Sequence, residues 1–223
     1  WWLVAFPLFF ALGWIAARID IKHLVRESRA LPRSYFAGLN FLVNEQPDKA
    51  IDAFLEAVKV DPQTIELHFA LGNLFRRRGE TDRAIRMHQN LVDRSDLGAE
   101  QRVQAMAELG HDYLKAGLLD RAEDIFLKLR DTTLKETAQK FLLEIYQQEK
   151  EWLKAIEIAQ QLPDASGHLW RKEIANFYCE LAAGEMAHSR NQSAREYLDK
   201  ALDVSRKCVR ANILLGDLAA SEG

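Results

Sequence analysis

The sequence contains few cysteines, which can crosslink a fold, and few prolines, which interrupt helices. It has two cysteines among 223 residues, Cys179 and Cys208, 29 positions apart. They form no C-x-x-C pair, so no zinc site is predicted, and both are expected to be small core residues of helices. Only five prolines occur, and apolar residues recur every three or four positions without strand-like alternation. This pattern favours an all-α fold.

Signatures of catalysis are also missing. The chain has no glycine-rich phosphate loop, no G-x-S-x-G turn and no nucleophile beside an obvious base. Its six histidines are dispersed, and its formal net charge of −3 includes no concentrated basic face of the kind that binds nucleic acid. We therefore predict a protein that is not an enzyme, holds no metal or cofactor within this chain and does not bind nucleic acid.

Charge is absent from residues 1–17. As a helix this segment would be ~25 Å long, slightly less than the ~30 Å hydrocarbon core of a bilayer. Tryptophans stand near its two ends, where aromatic rings favour the interface, and its single proline is tolerable in a membrane helix. We interpret the segment as a transmembrane anchor, with a cleavable signal peptide as the alternative. Its characteristic residues are Trp1, Trp2, Pro7, Gly13 and Trp14.

Residues 18–33 form a basic juxtamembrane linker. Two acidic residues, Asp20 and Glu27, stand against five cations. Because positive residues stay on the cytoplasmic side, the segment that follows is predicted to face the cytoplasm. The same cations could instead contact anionic headgroups. They are Arg18, Lys22, Arg26, Arg29 and Arg33.

Small residues recur with a fixed period in residues 34–223. Gly38 and Ala50 are followed 34 positions later by Gly72 and Ala84. Small residues at such positions let antiparallel helices approach, which is the pattern of tetratricopeptide repeats. We count five repeats and a sixth that stops half a unit short, so the polypeptide looks truncated at its C-terminus. The predicted fold is an all-α tetratricopeptide-repeat right-handed superhelix, an α-solenoid, preceded by one transmembrane helix.

The apolar periodicity predicts eleven helices in this region. In the second repeat, His88 stands where an apolar residue is usual. The predicted spans are residues 34–45, 47–60, 63–78, 80–93, 99–116, 118–130, 133–148, 151–162, 168–188, 192–206 and 207–222.

The first helices of such repeats line a concave groove, which makes them the candidate partner-binding surface. On this surface an asparagine can bond a partner's backbone, and an arginine can grip a carboxylate in two places. The alternative is a solvated charged face with its aromatic rings packed between helices. The predicted groove residues are Phe69, Asn73, Arg76 and Arg77 of the second repeat, extended into adjacent repeats by Tyr35, His111 and Lys115.

Several sequence blocks are more specific than a generic repeat consensus. They are Gly13-Trp14, Tyr35-Phe36-Ala37-Gly38-Leu39-Asn40-Phe41-Leu42, Gly72-Asn73-Leu74-Phe75-Arg76, Arg78-Gly79-Glu80, Asp82-Arg83-Ala84-Ile85-Arg86, His88-Gln89, Asp120-Arg121-Ala122-Glu123-Asp124 and Phe177-Tyr178-Cys179-Glu180-Leu181-Ala182. With these blocks the chain resembles the lipopolysaccharide assembly protein B (LapB) family, from the anchor to the sixth repeat.

The resemblance implies a single-pass adaptor of the bacterial inner membrane that regulates lipopolysaccharide biosynthesis. Its repeats would face the cytoplasm and present the deacetylase LpxC to the membrane protease FtsH for degradation, under an inner-membrane regulator that senses lipopolysaccharide. The alternative is a general scaffold for envelope assembly complexes.

Two further expectations concern the ends of the chain. The resemblance also implies a C-terminal rubredoxin-like domain holding iron or zinc through paired C-x-x-C motifs. We expect that domain to be absent from this chain, which contains no such pair. At the other end, small residues of the anchor could support a homodimer, because such residues let membrane helices approach closely, and the alternative is a face that meets only lipid. They are Ala11, Gly13, Ala16 and Ala17.

Overall fold

The computed structural model describes residues 33–60, 64–162 and 169–222. Within these ranges every regular element is an α-helix, which confirms the all-α repeat array. The helices are α1 (Arg33–Val43), α2 (Pro47–Val60), α3 (Ile65–Arg77), α4 (Thr81–Val92), α5 (Ala99–Lys115), α6 (Leu119–Lys128), α7 (Lys135–Gln148), α8 (Trp152–Gln161), α9 (Leu169–Ala187), α10 (Asn191–Val204) and α11 (Val209–Glu222).

The eleven helices match the sequence prediction, with every boundary within two residues of its predicted position. The predicted anchor and the basic linker as far as residue 32 lie outside the described residues. Arg33, the last of the predicted juxtamembrane cations, is exposed at the start of α1. None of the helices in the described ranges is long and apolar enough to cross a membrane.

The turn inside each repeat, between its first and second helix, has the same backbone construction. One residue adopts a positive φ, and the N–H of the next residue donates to the carbonyl five positions earlier, at 2.8 to 2.9 Å. This Schellman-type closure satisfies a carbonyl at the end of the first helix. Glycine adopts this conformation readily, whereas other residues are strained in it. The positive-φ residues are Glu45, Gly79, Gly117, Lys150 and Ser189.

Packing divides the chain into two compact units, residues 1–67 and 68–223. In the first unit, α1 packs against α2 through a glycine. A Cβ on Gly38 would lie 2.5 Å from the ring of Phe54, which is fully buried. The ring of Tyr35 also approaches Phe54, with centroids 5.9 Å apart. The small residue is therefore required by the ring opposite it.

Two apolar clusters are defined in the described part of the second unit. One joins α5 to α9 around fully buried side chains such as Phe126, Leu142 and Ile145. The other joins α9 to α11. Cys179 of α9 belongs to it, with its Sγ 3.8 Å from that of Cys208, just before α11. Both cysteines are free and buried, which confirms their predicted place in the core.

Candidate functional site: the α3–α5 face

The predicted groove residues of the second unit lie on two first helices. Phe69, Asn73, Arg76 and Arg77 belong to α3, and His111 and Lys115 belong to α5. Tyr35 lies on α1 in the first unit, where its ring meets Phe36 and Phe54. We use the name α3–α5 face for the surface that carries the six residues of the second unit.

Arg76 is the centre of this face, and it binds carboxylates of its own chain. Its Nη1 lies 2.7 Å from Oδ1 of Asp112, and its Nη2 lies 2.6 Å from Oε2 of Glu108. Nη1 also donates to the backbone carbonyl of Glu108, and Nη2 donates to the side-chain oxygen of Asn73. The Arg76 side chain is only 12% exposed. The sequence predicts that an arginine of this face grips a partner's carboxylate in two places, whereas Arg76 binds two carboxylates of α5 and so joins α3 to α5.

Asp112 extends this contact into the second helix of the repeat. Its Oδ2 accepts a hydrogen bond from Nδ1 of His88 on α4, at 2.5 Å. Both side chains are completely buried. A buried carboxylate is costly unless it is paired and hydrogen-bonded, and Asp112 has a charged partner on one oxygen and a ring nitrogen on the other. We call the set Asn73, Arg76, His88, Glu108 and Asp112 the polar network.

Gly72 makes room for the imidazole of the polar network. A Cβ at this position would lie 2.4 Å from Nε2 of His88, closer than any real contact. Nε2 itself is buried without a hydrogen-bond partner. His88 thus faces Gly72 in the same way that Phe54 faces Gly38. In both pairs the ring lies sixteen positions after the glycine.

The remaining residues of the face differ in exposure. Arg77 and Lys115 are exposed, each in the last turn of its helix. Phe69 is half-buried, with its ring centroid 6.0 Å from that of His88. The Phe69 ring therefore packs against His88, while the cations Arg77 and Lys115 reach solvent. Their role in binding stays a prediction.

His111 lies between the polar network and an apolar region. Its ring is half-buried, with its centroid 4.9 Å from that of Phe141. Burial lowers the pKa of His111 below its usual 6.5, and the nearby Arg76 guanidinium lowers it further. The neutral imidazole therefore predominates at neutral pH.

Glu108 and Asp112 were not predicted as site residues. They lie one turn apart on α5, and Asp112 falls on a buried stripe of that helix between Gly110 and Leu114. An acidic residue on such a stripe, combined with His88 at an apolar position, is a detectable signal of a buried pair. Among the described residues no cluster of three or more histidine, cysteine or acidic side chains could hold a metal ion.

Comparison with known protein families agrees with the repeat structure. A tetratricopeptide repeat family model matches residues 37–96 and 179–223. Lipopolysaccharide assembly protein B of Escherichia coli strain K12 is 44% identical over 97% of the chain, and the Haemophilus influenzae protein of the same name is 39% identical over the same share. The chain spans 56% and 57% of the length of these relatives.

Solved structures share the fold at low sequence identity. MamA superposes with a TM-score of 0.53 at 21% identity, covering 78% of this chain and 91% of that one. YrrB, described as a tetratricopeptide-repeat protein with an unusual peptide-binding site, gives 0.54 at 14% identity, covering 85% and 94%. The Naa15/Naa10 complex bound to HypK gives 0.59 at 19% identity, covering 95% and 31%. These likenesses establish the helical repeat architecture.

Proposed function

The chain belongs to the lipopolysaccharide assembly protein B family of non-enzymatic tetratricopeptide-repeat proteins, and on that premise we propose that it is an inner-membrane adaptor that delivers LpxC to the protease FtsH. In this proposal residues 1–17 anchor the chain, the repeats face the cytoplasm, and a lipopolysaccharide-sensing membrane protein controls delivery. The family relationship supports a role in lipopolysaccharide assembly, and the α3–α5 face supports the adaptor mechanism.

The observation that supports the mechanism is that one group of residues on the α3–α5 face fixes the helices while another is exposed to solvent. The polar network joins α3, α4 and α5 through side chains that are buried or partly buried. Arg77 and Lys115 stand at the ends of α3 and α5, exposed to solvent. A partner would therefore meet two cations held on helices whose packing is already fixed, which reduces the ordering cost of binding.

Tethering explains how such a face would promote degradation without any chemistry of its own. Two proteins held on one membrane-anchored chain meet at a high effective concentration, set by the length of the connection between their sites. An acidic surface of LpxC is the expected complement of Arg77 and Lys115, because rim charges of opposite sign steer association. FtsH is itself a membrane protein, so the anchor would restrict the search to the membrane plane.

The half-life of LpxC in cells of the native host tests the proposal. We compare the parent protein, a version lacking residues 1–17, the double variant R77E/K115E and a strain with no copy. The control is R86E/K128E, which makes the same change in charge at exposed positions of α4 and α6. LpxC should be long-lived in all strains except the parent and the control. An equal half-life in the parent and the strain with no copy would refute the adaptor.

A general scaffold for envelope assembly is the second candidate, and the repeat family match alone is sufficient to support it. It predicts an unchanged LpxC half-life and several partners that crosslink to the repeats. Site-specific photocrosslinking from position 77 separates the two functions, since the adaptor should capture LpxC whereas a general scaffold should capture a mixture.

A further inference from the structure

A cationic cavity lies between the first turns of α9 and the connection from α10 to α11. Its volume is about 680 Å³, within the range of cavities that hold small molecules or short peptide segments. Four of the seven lining side chains are cations, and one is an acid. The lining residues are Arg171, Lys172, Asp203, Val204, Ser205, Arg206 and Lys207.

The cations of this cavity are exposed and differ from others nearby in their pairing. Arg190 and Arg210 bind Glu185 and Glu180, the latter pair at 2.6 Å. Within the described part of the second unit, by contrast, no ion pair joins Lys172 or Lys207 to a carboxylate. Among the described residues the surface therefore concentrates positive charge that no carboxylate pairs with at Lys172 and Lys207, and such a surface attracts an anionic ligand.

A second cavity continues the first along α9. Its volume is about 330 Å³, and it shares Lys172, Ser205 and Lys207 with the larger one. The second cavity adds an exposed amide, Asn176, one turn after Lys172 on α9, and an exposed apolar side chain, Val209. Together the two form a groove, here named the α9–α11 groove, with charged, amide and apolar walls.

These walls fit an extended acidic chain better than a compact anion. A phosphate ion would fill a small part of the combined volume, and Asp203 in the larger cavity would repel a concentrated double charge. An extended peptide separates its carboxylates, offers backbone groups to the Asn176 amide, and can place apolar side chains against Val204 and Val209. The mixed lining is typical of a peptide groove.

We propose that the α9–α11 groove binds an acidic peptide segment of a partner protein. Lys172 and Lys207 hold its carboxylates, and Asn176 bonds its backbone. The groove lies on helices other than α3 and α5, so this second site is independent of the function proposed above. It gives the repeat array a means of holding two proteins at once.

Fluorescence anisotropy measures this binding directly. The probe is a fluorescein-labelled peptide, Asp-Glu-Leu-Asp-Glu-Glu, and the protein is the full chain in phosphatidylcholine nanodiscs. We expect K172E/K207E to weaken binding at least tenfold and N176A to weaken it two- to fivefold. The matched control K128E/K135E, which reverses two exposed lysines on α6 and α7, should leave the Kd within twofold. The amidated peptide Asn-Gln-Leu-Asn-Gln-Gln should bind at least tenfold more weakly.

Two results would overturn the proposal. The first is equal peptide affinity in K172E/K207E and in the parent, with circular dichroism showing that both are folded. The second is displacement of the peptide by inorganic phosphate or by dihexanoyl phosphatidylglycerol at lower concentration than by unlabelled peptide, which would assign the groove to a phosphate group. Because the assay contains neither LpxC nor FtsH, its failure would leave the adaptor proposal standing.

Discussion

Two neighbouring helix interfaces of the second unit use the same geometry with different chemistry. Gly72 faces His88, and Gly110 faces Phe126, sixteen positions apart in both cases. His88 bonds to Asp112, whereas Phe126 stacks on Phe141 in an apolar cluster, with ring centroids 4.8 Å apart. The repeat therefore specifies a small residue opposite a ring, and it leaves the polarity of that ring open.

Because the first interface is polar, its stability should be more sensitive to the loss of one side chain than the stability of the apolar interface. A buried ion pair often contributes little net stability compared with apolar residues of similar volume, yet removal of one partner leaves the other charged and unpaired. In the first interface Arg76 and His88 both depend on Asp112. The apolar interface spreads its stabilisation over many contacts. This contrast can be tested by substitution.

The largest effect is expected for D112A. The substitution removes the carboxylate from Nη1 of Arg76, which keeps only the Glu108 backbone carbonyl, and leaves Nδ1 of His88 without its acceptor. We expect a loss of about 3–5 kcal/mol in the free energy of unfolding. Urea denaturation followed by circular dichroism measures it. The control is D124A, at an exposed position on α6, which should change stability by less than about 0.5 kcal/mol. Equal midpoints for the two variants would show that the polar network is dispensable.

A smaller effect is expected when the polar pair is replaced by the apolar one. Ile145 is buried 33 positions after Asp112, the same spacing that separates Tyr113 from Tyr146. The double variant H88F/D112I copies the apolar interface into the polar one. The two single substitutions should be non-additive, with a favourable coupling of about 1–3 kcal/mol in a double-mutant cycle. A coupling of zero would mean that His88 and Asp112 act independently.

The smallest effect concerns His111, whose ring packs against Phe141 of the apolar region and whose pKa is influenced by Arg76 of the polar network. Its pKa is lowered in the folded state, so the unfolded chain binds a proton more readily as the pH falls through 6.5. Stability should therefore decrease below that pH, and the decrease should be shallower in H111F. Melting temperatures between pH 7.5 and 5.0 measure the slopes. Identical slopes, together with an NMR titration of His111 at or above 6.5, would contradict the expected shift.

The helices were predictable because their signal is local and repeated. Spacings of three, four and 34 positions located all eleven, and Gly79 and Gly117 mark two of the five turns. The turns at Glu45, Lys150 and Ser189 carry no glycine, so their positive φ could not be inferred from residue type. There the helix packing on either side determines the backbone.

The site was less predictable because its contacts join distant positions. The sequence placed Arg76 on the first helix of the second repeat, but the acidic residues of its own chain that it binds lie 32 and 36 positions away. Lys172 and Lys207 are likewise brought together only by the fold. Helical periodicity shows which residues share one face of a helix. It does not show which side chains of the next helix lie opposite that face.

The contact between Cys179 and Cys208 makes the natural chain convenient for site-specific labelling. Burial raises the pKa of the Cys179 thiol to about 12, and Cys208 is only 9% exposed. Maleimides react with exposed thiolates, so both native cysteines will be slow to react at neutral pH. A cysteine introduced at an exposed position outside the α3–α5 face, such as Arg86, can then take a dye selectively. Distances between a labelled repeat and a labelled partner become measurable without removing either native cysteine.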